Sequence, residues 1–596
     1  METCNDSKFH LHEAVEQFNI ENDGDIFLVA AKETLEHGQA EVLFEVLEAT
    51  ENRKLLNFVG WDLVKIVFQF LPDDCVNSLH FESYNKLLHL ICNSCNPREV
   101  CLSLRELLSR ELTWQKLVIL LGLLRLTGSR LGGKIGKILT SILVSLQRCL
   151  QNRNDIVEQV EILETTLEFV DELIEKTQNT LANVSDDKTA FQEGLLSFLI
   201  ALLEQPFVLL EFKINSETQE QDDIMKFAKT IVRMLGVLEN GCLKRLFDYG
   251  VHHRNRIQKQ LKVDDDDIDD DIDDVNNCHS FVGLGCLAFL THVAGLGKQF
   301  IPVITTGKYY LDTNMVYINT LLCHRETQVI LKGLSLLLAV LNMVEANTVH
   351  HSYIDNMDLT ELLTNLRHLM TYSEDSIIRQ ESVKGFRKIL GIFTPRGKYR
   401  LLRSLHEGEI QSGFAELLYL ILKEEIANSV ENDSEDSWFL GSKLESFLDE
   451  IFKVPPKSLQ SEFGIIEESN RVLSALNLLR FLLLRDTKNK TTIHRIFPQL
   501  ENTYLKKLRD VVTFSRSSIT TLVQDKEDEI KGIVVSKKTS DETILNVTTV
   551  DGSELEQGSP KEQIEVLQSA CLTLDMIESI LARIGEIGKD RQSSCN

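Results

Sequence analysis

Wound as a helix, the run Arg471-Val472-Leu473-Ser474-Ala475-Leu476-Asn477-Leu478-Leu479-Arg480-Phe481-Leu482-Leu483-Leu484 is apolar nearly all round, and this constrains the fold more than any other stretch. Such a helix cannot turn most of its surface to water, so it belongs in an inner layer covered by other helices. A cover is available at the C-terminal end. Ser559-Pro560-Lys561-Glu562 reads as a helix start, with Ser559 as cap, Pro560 at the first helical position and Glu562 reaching back. Ile564, Leu567, Cys571, Leu574, Ile577, Leu581 and Ile584 then recur every three or four residues, and Gly588 is placed to close the helix. The opposite side carries Gln568, Asp575, Glu578, Ser579, Arg583 and Glu586. A helix buried on one side and charged on the other is an available binding edge.

The rest of the chain alternates helix, short polar break, helix, with hardly a strand-like run before residue 530. Nine Pro in 596 residues fit that reading. Lys332-Gly333-Leu334 and Lys384-Gly385-Phe386 sit in similar surroundings 52 residues apart (385 − 333), and wider intervals later in the chain approach two units of the ~40–47-residue helical repeats. Asp375-Ser376-Ile377-Ile378-Arg379, followed by Val383, Phe386 and Leu390, resembles a repeat in which a turn carboxylate meets an early Arg of the second helix. The expected fold is all-α, an irregular α-solenoid of HEAT/armadillo-like helical hairpins, each pair burying its apolar face on the next. Five segments are expected: N-terminal repeats over 1–250, a charged loop over 251–280 (basic, then Asp-rich), C-terminal repeats over 281–524, a partly disordered polar insert over 525–558, and the terminal helix over 559–588.

The net charge is −27, and nine Asp within 264–274 supply a third of it, leaving −18 elsewhere. That sign repels phosphate backbones and suits a basic protein surface. The twelve Cys lack framework spacing, and the N-terminus shows no signal peptide, which points to a reducing, cytoplasmic compartment, with nuclear presence also compatible. Gly333 to Val344 and Leu195 to Phe212 are too short or too interrupted for a membrane span.

Four motifs bear on chemistry. Gly128-Ser129-Arg130-Leu131-Gly132-Gly133-Lys134 has phosphate-loop spacing, but Ile135 stands where a magnesium-holding Ser or Thr belongs and no strand precedes it, so a helix–helix connection explains it better. His89, Cys92, Cys95 and Cys101 lack a second distant ligand pair, and core packing accounts for them without zinc. The Asp run has neither the central Gly nor the final Glu of a calcium loop, and the cluster His252, His253, Arg254, Arg256, Lys259 and Lys262 before it reads as a loop feature. Trp438-Phe439 at a helix start is a candidate interface pair. Neither catalytic constellation nor cofactor motif stands out, so no enzyme is expected.

Several strings together resemble the glomulin family of helical-repeat inhibitors of cullin–RING ubiquitin ligases. They are Gly60-Trp61-Asp62-Leu63-Val64, Cys95-Asn96-Pro97-Arg98-Glu99, Gly397-Lys398-Tyr399, Trp438-Phe439, Leu476-Asn477-Leu478-Leu479-Arg480 and Asp575-Met576-Ile577-Glu578-Ser579-Ile580-Leu581-Ala582-Arg583. The resemblance implies a monomeric, non-enzymatic protein without cofactor or metal. Its C-terminal repeats would clasp the RING-box subunit, beside the associated cullin, and cover the docking surface of the ubiquitin-conjugating enzyme. Immunophilin and receptor tyrosine kinase partners are also associated with the family. Carried onto this chain, the partner-binding candidates are Trp438, Asn477, Arg480, Asp575, Glu578, Ser579, Arg583 and Glu586. The competing expectation is a HEAT-type scaffold or transport receptor for other proteins.

Overall fold

The computed structural model describes all residues except 1, 22, 74–80, 132–135, 152–155, 180–184, 211–218, 261–278, 303–305, 408–409, 432–437, 487, 532–558 and 596. The described residues are all-α, with one isolated parallel bridge between Val349 and Phe393. They form two compact units, Met1–Val340 and Leu341–Asn596.

Within the first unit a helix packs on the next but one and, in several places, also on the next. Arg53–Gln69 lies on Phe81–Ser94 and on Pro97–Leu108, and the latter lies on Trp114–Ser129 and Gly136–Gln151. That connectivity is an α-solenoid of hairpins, because no hairpin covers its own apolar face. Small residues set the closest approaches: a Cβ on Gly60 would sit 2.3 Å from Cys95 Sγ, so only Gly lets the helix Arg53–Gln69 come this close to the residue that follows Phe81–Ser94. Lys332 is buried and donates from Nζ to the carbonyls of Val208 and Leu210, closing the short turn Phe207–Leu209.

The stretch Thr189–Leu209 is apolar and long enough to cross a membrane on composition alone, yet 56% of it is buried within the unit. Its helix, Ser185–Glu204, packs on Gly136–Gln151 and Phe281–His292, which makes it a core element. The basic cluster is not a loop: His252, His253, Arg254 and Arg256 lie in the helix Lys244–Gln260. Once Leu246 and Phe247 are seated in the core, no Gly or Pro after Gly250 stops the turns from continuing. The Asp run lies outside the described residues.

The second unit ends in a stack. The helix Ser469–Arg485 (the inner helix) packs on Ser412–Glu431 (the outer helix) and on Pro560–Cys595 (the terminal helix). The terminal helix also packs on Lys506–Ile530 (the flanking helix). Burial of Val472, Ala475, Leu476, Leu478, Leu479, Leu482 and Leu483 gives the inner helix the covered position its sequence demands. The flanking helix runs to Ile530, past the expected start of the insert at 525, and the strand-like Ile533-Val534-Val535 lies outside the described residues. In the repeat-like turn, Asp375 caps Ile377 N–H at 2.8 Å, while Arg379 Nη1 donates to the carbonyls of Ser373 and Glu374 at 2.6 and 2.8 Å. Arg and Asp thus each close the turn through backbone, and the Arg meets carbonyls where a carboxylate was expected.

Candidate functional site: the terminal helix and its neighbours

The terminal helix begins with the expected reciprocal cap. Ser559 N–H donates to Glu562 Oε2 at 2.7 Å, and Glu562 N–H donates to Ser559 Oγ at 3.5 Å. Its buried face is Leu567, Ala570, Leu574, Ile577, Leu581, Ile584 and Ile587. Gly588 does not close the helix, which continues to Cys595. A Cβ there would lie 2.2 Å from the Phe497 ring, so this glycine is a packing notch in which Phe497 seats.

The outward face holds the charged candidates. Asp575, Glu578, Ser579, Arg583 and Glu586 are all exposed. Two of them are already held within the chain: Arg516 of the flanking helix bonds Asp575 Oδ1 at 2.5 Å and both Glu578 oxygens at 3.2 and 3.1 Å. These bonds, that to Asp575 foremost, hold the guanidinium above its ordinary pKa. Arg583 Nη1 bonds Glu586 Oε2 at 2.7 Å. On the same outward side stand Leu572, one turn before Asp575, and Met576, between Asp575 and Glu578; they are 65% and 56% exposed and one helical turn apart. The sequence reading missed both. Each lies one position off the expected apolar stripe (571 and 577), so a search for a single such stripe passes over them.

Asn477 and Arg480 share the one exposed strip of the inner helix, with half-buried Phe481 and exposed Leu484. This strip opens towards the outer helix, where Glu416, Tyr419, Leu420 and Lys423 complete a cleft of about 400 Å³ and Lys423 Nζ stands 5.1 Å from the Phe481 ring centroid. Trp438 is half-buried elsewhere in the unit, 4.0 Å from Lys443 Nζ and 5.2 Å from Arg396 across its ring, and 5.6 Å from the Tyr399 ring. The structure therefore pairs Asn477 with Arg480, and Asp575 with Glu578. No described contact joins those pairs to each other or to Trp438. Glu586 also lines a second cleft of about 600 Å³ with Phe497, Pro498, Glu501, Arg509 and Gly585.

Among the described residues no group of three or more His, Cys, Asp or Glu could hold a metal ion. His89 is exposed while Cys92, Cys95 and Cys101 are buried, so the four do not converge. Burial raises the three thiols to about 11, 12 and 12, and the Cys95 thiol donates to the Leu56 carbonyl. Gly128 lies inside the helix Trp114–Ser129, and its carbonyl accepts from Lys176 Nζ, while Gly132, Gly133, Lys134 and Ile135 of that motif lie outside the described residues.

A family model described as "Uncharacterised protein family, YAP/Alf4/glomulin" matches residues 29–570. The chain belongs to the YAP/Alf4/glomulin family. Glomulin of Homo sapiens is 27% identical over 95% of this chain and 94% of its own length, and glomulin of Mus musculus is 25% identical over the same shares. A crystal structure of Kap121p bound to Ste12p aligns with 97% of this chain and 61% of that chain, at 11% identity and a TM-score of 0.20, too low to equate the two folds. Glomulin kinship thus runs along nearly the whole chain, through both compact units.

Proposed function

We propose that this glomulin relative is a non-enzymatic inhibitor. It binds the RING-box subunit of cullin–RING ubiquitin ligases through its C-terminal repeats and masks the docking surface of the ubiquitin-conjugating enzyme. One observation carries the reading: the terminal helix is locked into its unit along one face and offers Leu572 and Met576, framed by charge, along the other. From Leu572 to Arg583 that exposed ridge is ~17 Å long at 1.5 Å per residue.

Masking needs no bond to form or break. An interface of ordinary size, ~1,600 Å² in all, excludes a competitor sterically. In this account Leu572 and Met576 are the desolvated anchors, and the charges around them set approach and register. Arg516 gives Asp575 and Glu578 fixed positions, so a basic surface meets carboxylates that are already ordered. The test is displacement. A labelled ubiquitin-conjugating enzyme bound to purified RING-box subunit should be released by the full chain in a saturable way, and retention of that enzyme at saturating chain would sink the reading.

A further inference from the structure

The first unit carries an exposed aromatic surface that the terminal-helix reading does not use. Phe58 and Trp61, one turn apart on the helix Arg53–Gln69, are 51% and 43% exposed, and Leu102 on Pro97–Leu108 is 42% exposed. They line a groove of about 780 Å³ that the start of the helix Asp25–Glu36 closes at one end. Its floor is fixed: Ser103 Oγ donates to the Trp61 carbonyl at 2.7 Å, and Gly60 turns inward against Cys95.

Large apolar groups left in water around a preformed hollow mark an interaction site, and the rim says what kind. Asp25, Asp62, Glu99 and Glu106 border the groove. Lys65 serves two of them, at 3.3 Å from Asp62 and 3.1 Å from Glu106, with its Nζ 4.7 Å from the Trp61 ring centroid. Arg105 also lines the groove, with its Nη1 donating to Ser141 Oγ at 3.4 Å, so four carboxylates stand against two cations. Asp25 and Glu99 have no ion-pair partner among the described residues, so the rim stays negative. This charge disfavours nucleic acid and anionic lipid alike. Anchors on two adjacent helices, bordered by carboxylates, match a helix that presents apolar residues at i, i+3 or i+4 and i+7 with Lys or Arg flanking them.

We infer that this groove docks a basic amphipathic helix of a partner protein. The probe is a labelled peptide of about 18 residues, five turns, built from Leu at those spacings and Lys elsewhere, titrated into the full chain by fluorescence anisotropy. Saturable one-to-one binding is expected, with hydrogen-exchange protection over 53–69 and 97–108. A peptide with the same Leu pattern and Glu for Lys should bind at least tenfold more weakly. Leu102→Asp, at an exposed position, should weaken the Lys peptide at least tenfold. Glu99→Lys, which leaves the apolar groups untouched, should weaken it several-fold and narrow its preference over the Glu peptide, whereas Leu572→Asp in the second unit should change nothing. Equal binding of the two peptides, or affinity unmoved by both Leu102→Asp and Glu99→Lys, would overturn the inference. Neither outcome bears on the RING-box reading, which rests on other residues.

Discussion

The two surfaces that stand out differ in the same way a key differs from a lock. The terminal helix is a ridge: Leu572 and Met576 project from it, and Asp575, Glu578, Arg583 and Glu586 already have partners within the chain. The groove between Arg53–Gln69 and Pro97–Leu108 is a hollow: its aromatics line a concavity, and part of its charge waits unpaired. A ridge with ordered charges is suited to covering a broad, flat face of another domain. A hollow with free carboxylates is suited to receiving a single element. Apolar exposure alone would not separate the two; the state of the neighbouring charges does.

The sharpest way to break this contrast is to reverse the ridge. Leu572→Asp combined with Met576→Asp should weaken binding to the RING-box subunit at least a hundredfold, ~3 kcal/mol, by titration calorimetry, with the melting temperature held because both residues are exposed. The same assay with Leu102→Asp should show no change. The ridge also depends on its seating. Gly588→Val drives a side chain into the Phe497 ring and should destabilise the second unit by ~3 kcal/mol in chemical denaturation, with Phe497→Leu recovering part of the loss.

A third test concerns the first unit and acid. His292 is mostly buried, its Nε2 has no hydrogen-bond partner, and burial foremost, then Lys298, lowers its pKa from 6.5 to about 4. The folded state therefore binds fewer protons than the unfolded chain between those values. The contribution is complete above pH 6.5 and is lost as pH falls through about 4, up to ~3 kcal/mol. His292→Phe should flatten that acid limb in pH-dependent unfolding, and an unchanged limb would refute the assignment. The smallest effect belongs to the brace. Arg516→Gln should cost ~0.5–1 kcal/mol in stability, since its partners are exposed and solvent screens the ion pairs. It should slow association with the RING-box subunit more than it hastens release.

Much of the fold was legible because period 3.6 is a strong signal over many turns: the inner helix, the terminal helix and its Ser559–Glu562 cap all follow from spacing. Ends were less legible. Gly588 has the composition of a stop signal, but its notch for Phe497 arises from a residue about ninety positions away, which no local rule contains. The helix Lys244–Gln260 ran through a basic stretch that reads as loop when charge is weighed alone. The site was half legible. Charge marked Asp575 and Glu578, yet their common partner Arg516 comes from another helix. The apolar groups that distinguish the ridge sit beside the main stripe and gain meaning only once the other face is known to be covered.

The central claim is that the ridge occupies a surface, and ubiquitin-chain formation by a purified cullin–RING ligase tests it most directly. With the wild-type chain added in excess, chain formation should fall towards the level without conjugating enzyme, while the Leu572→Asp/Met576→Asp variant at the same concentration leaves it at the uninhibited rate. Equal suppression by both proteins, or full activity in the presence of bound wild-type chain, would contradict the account.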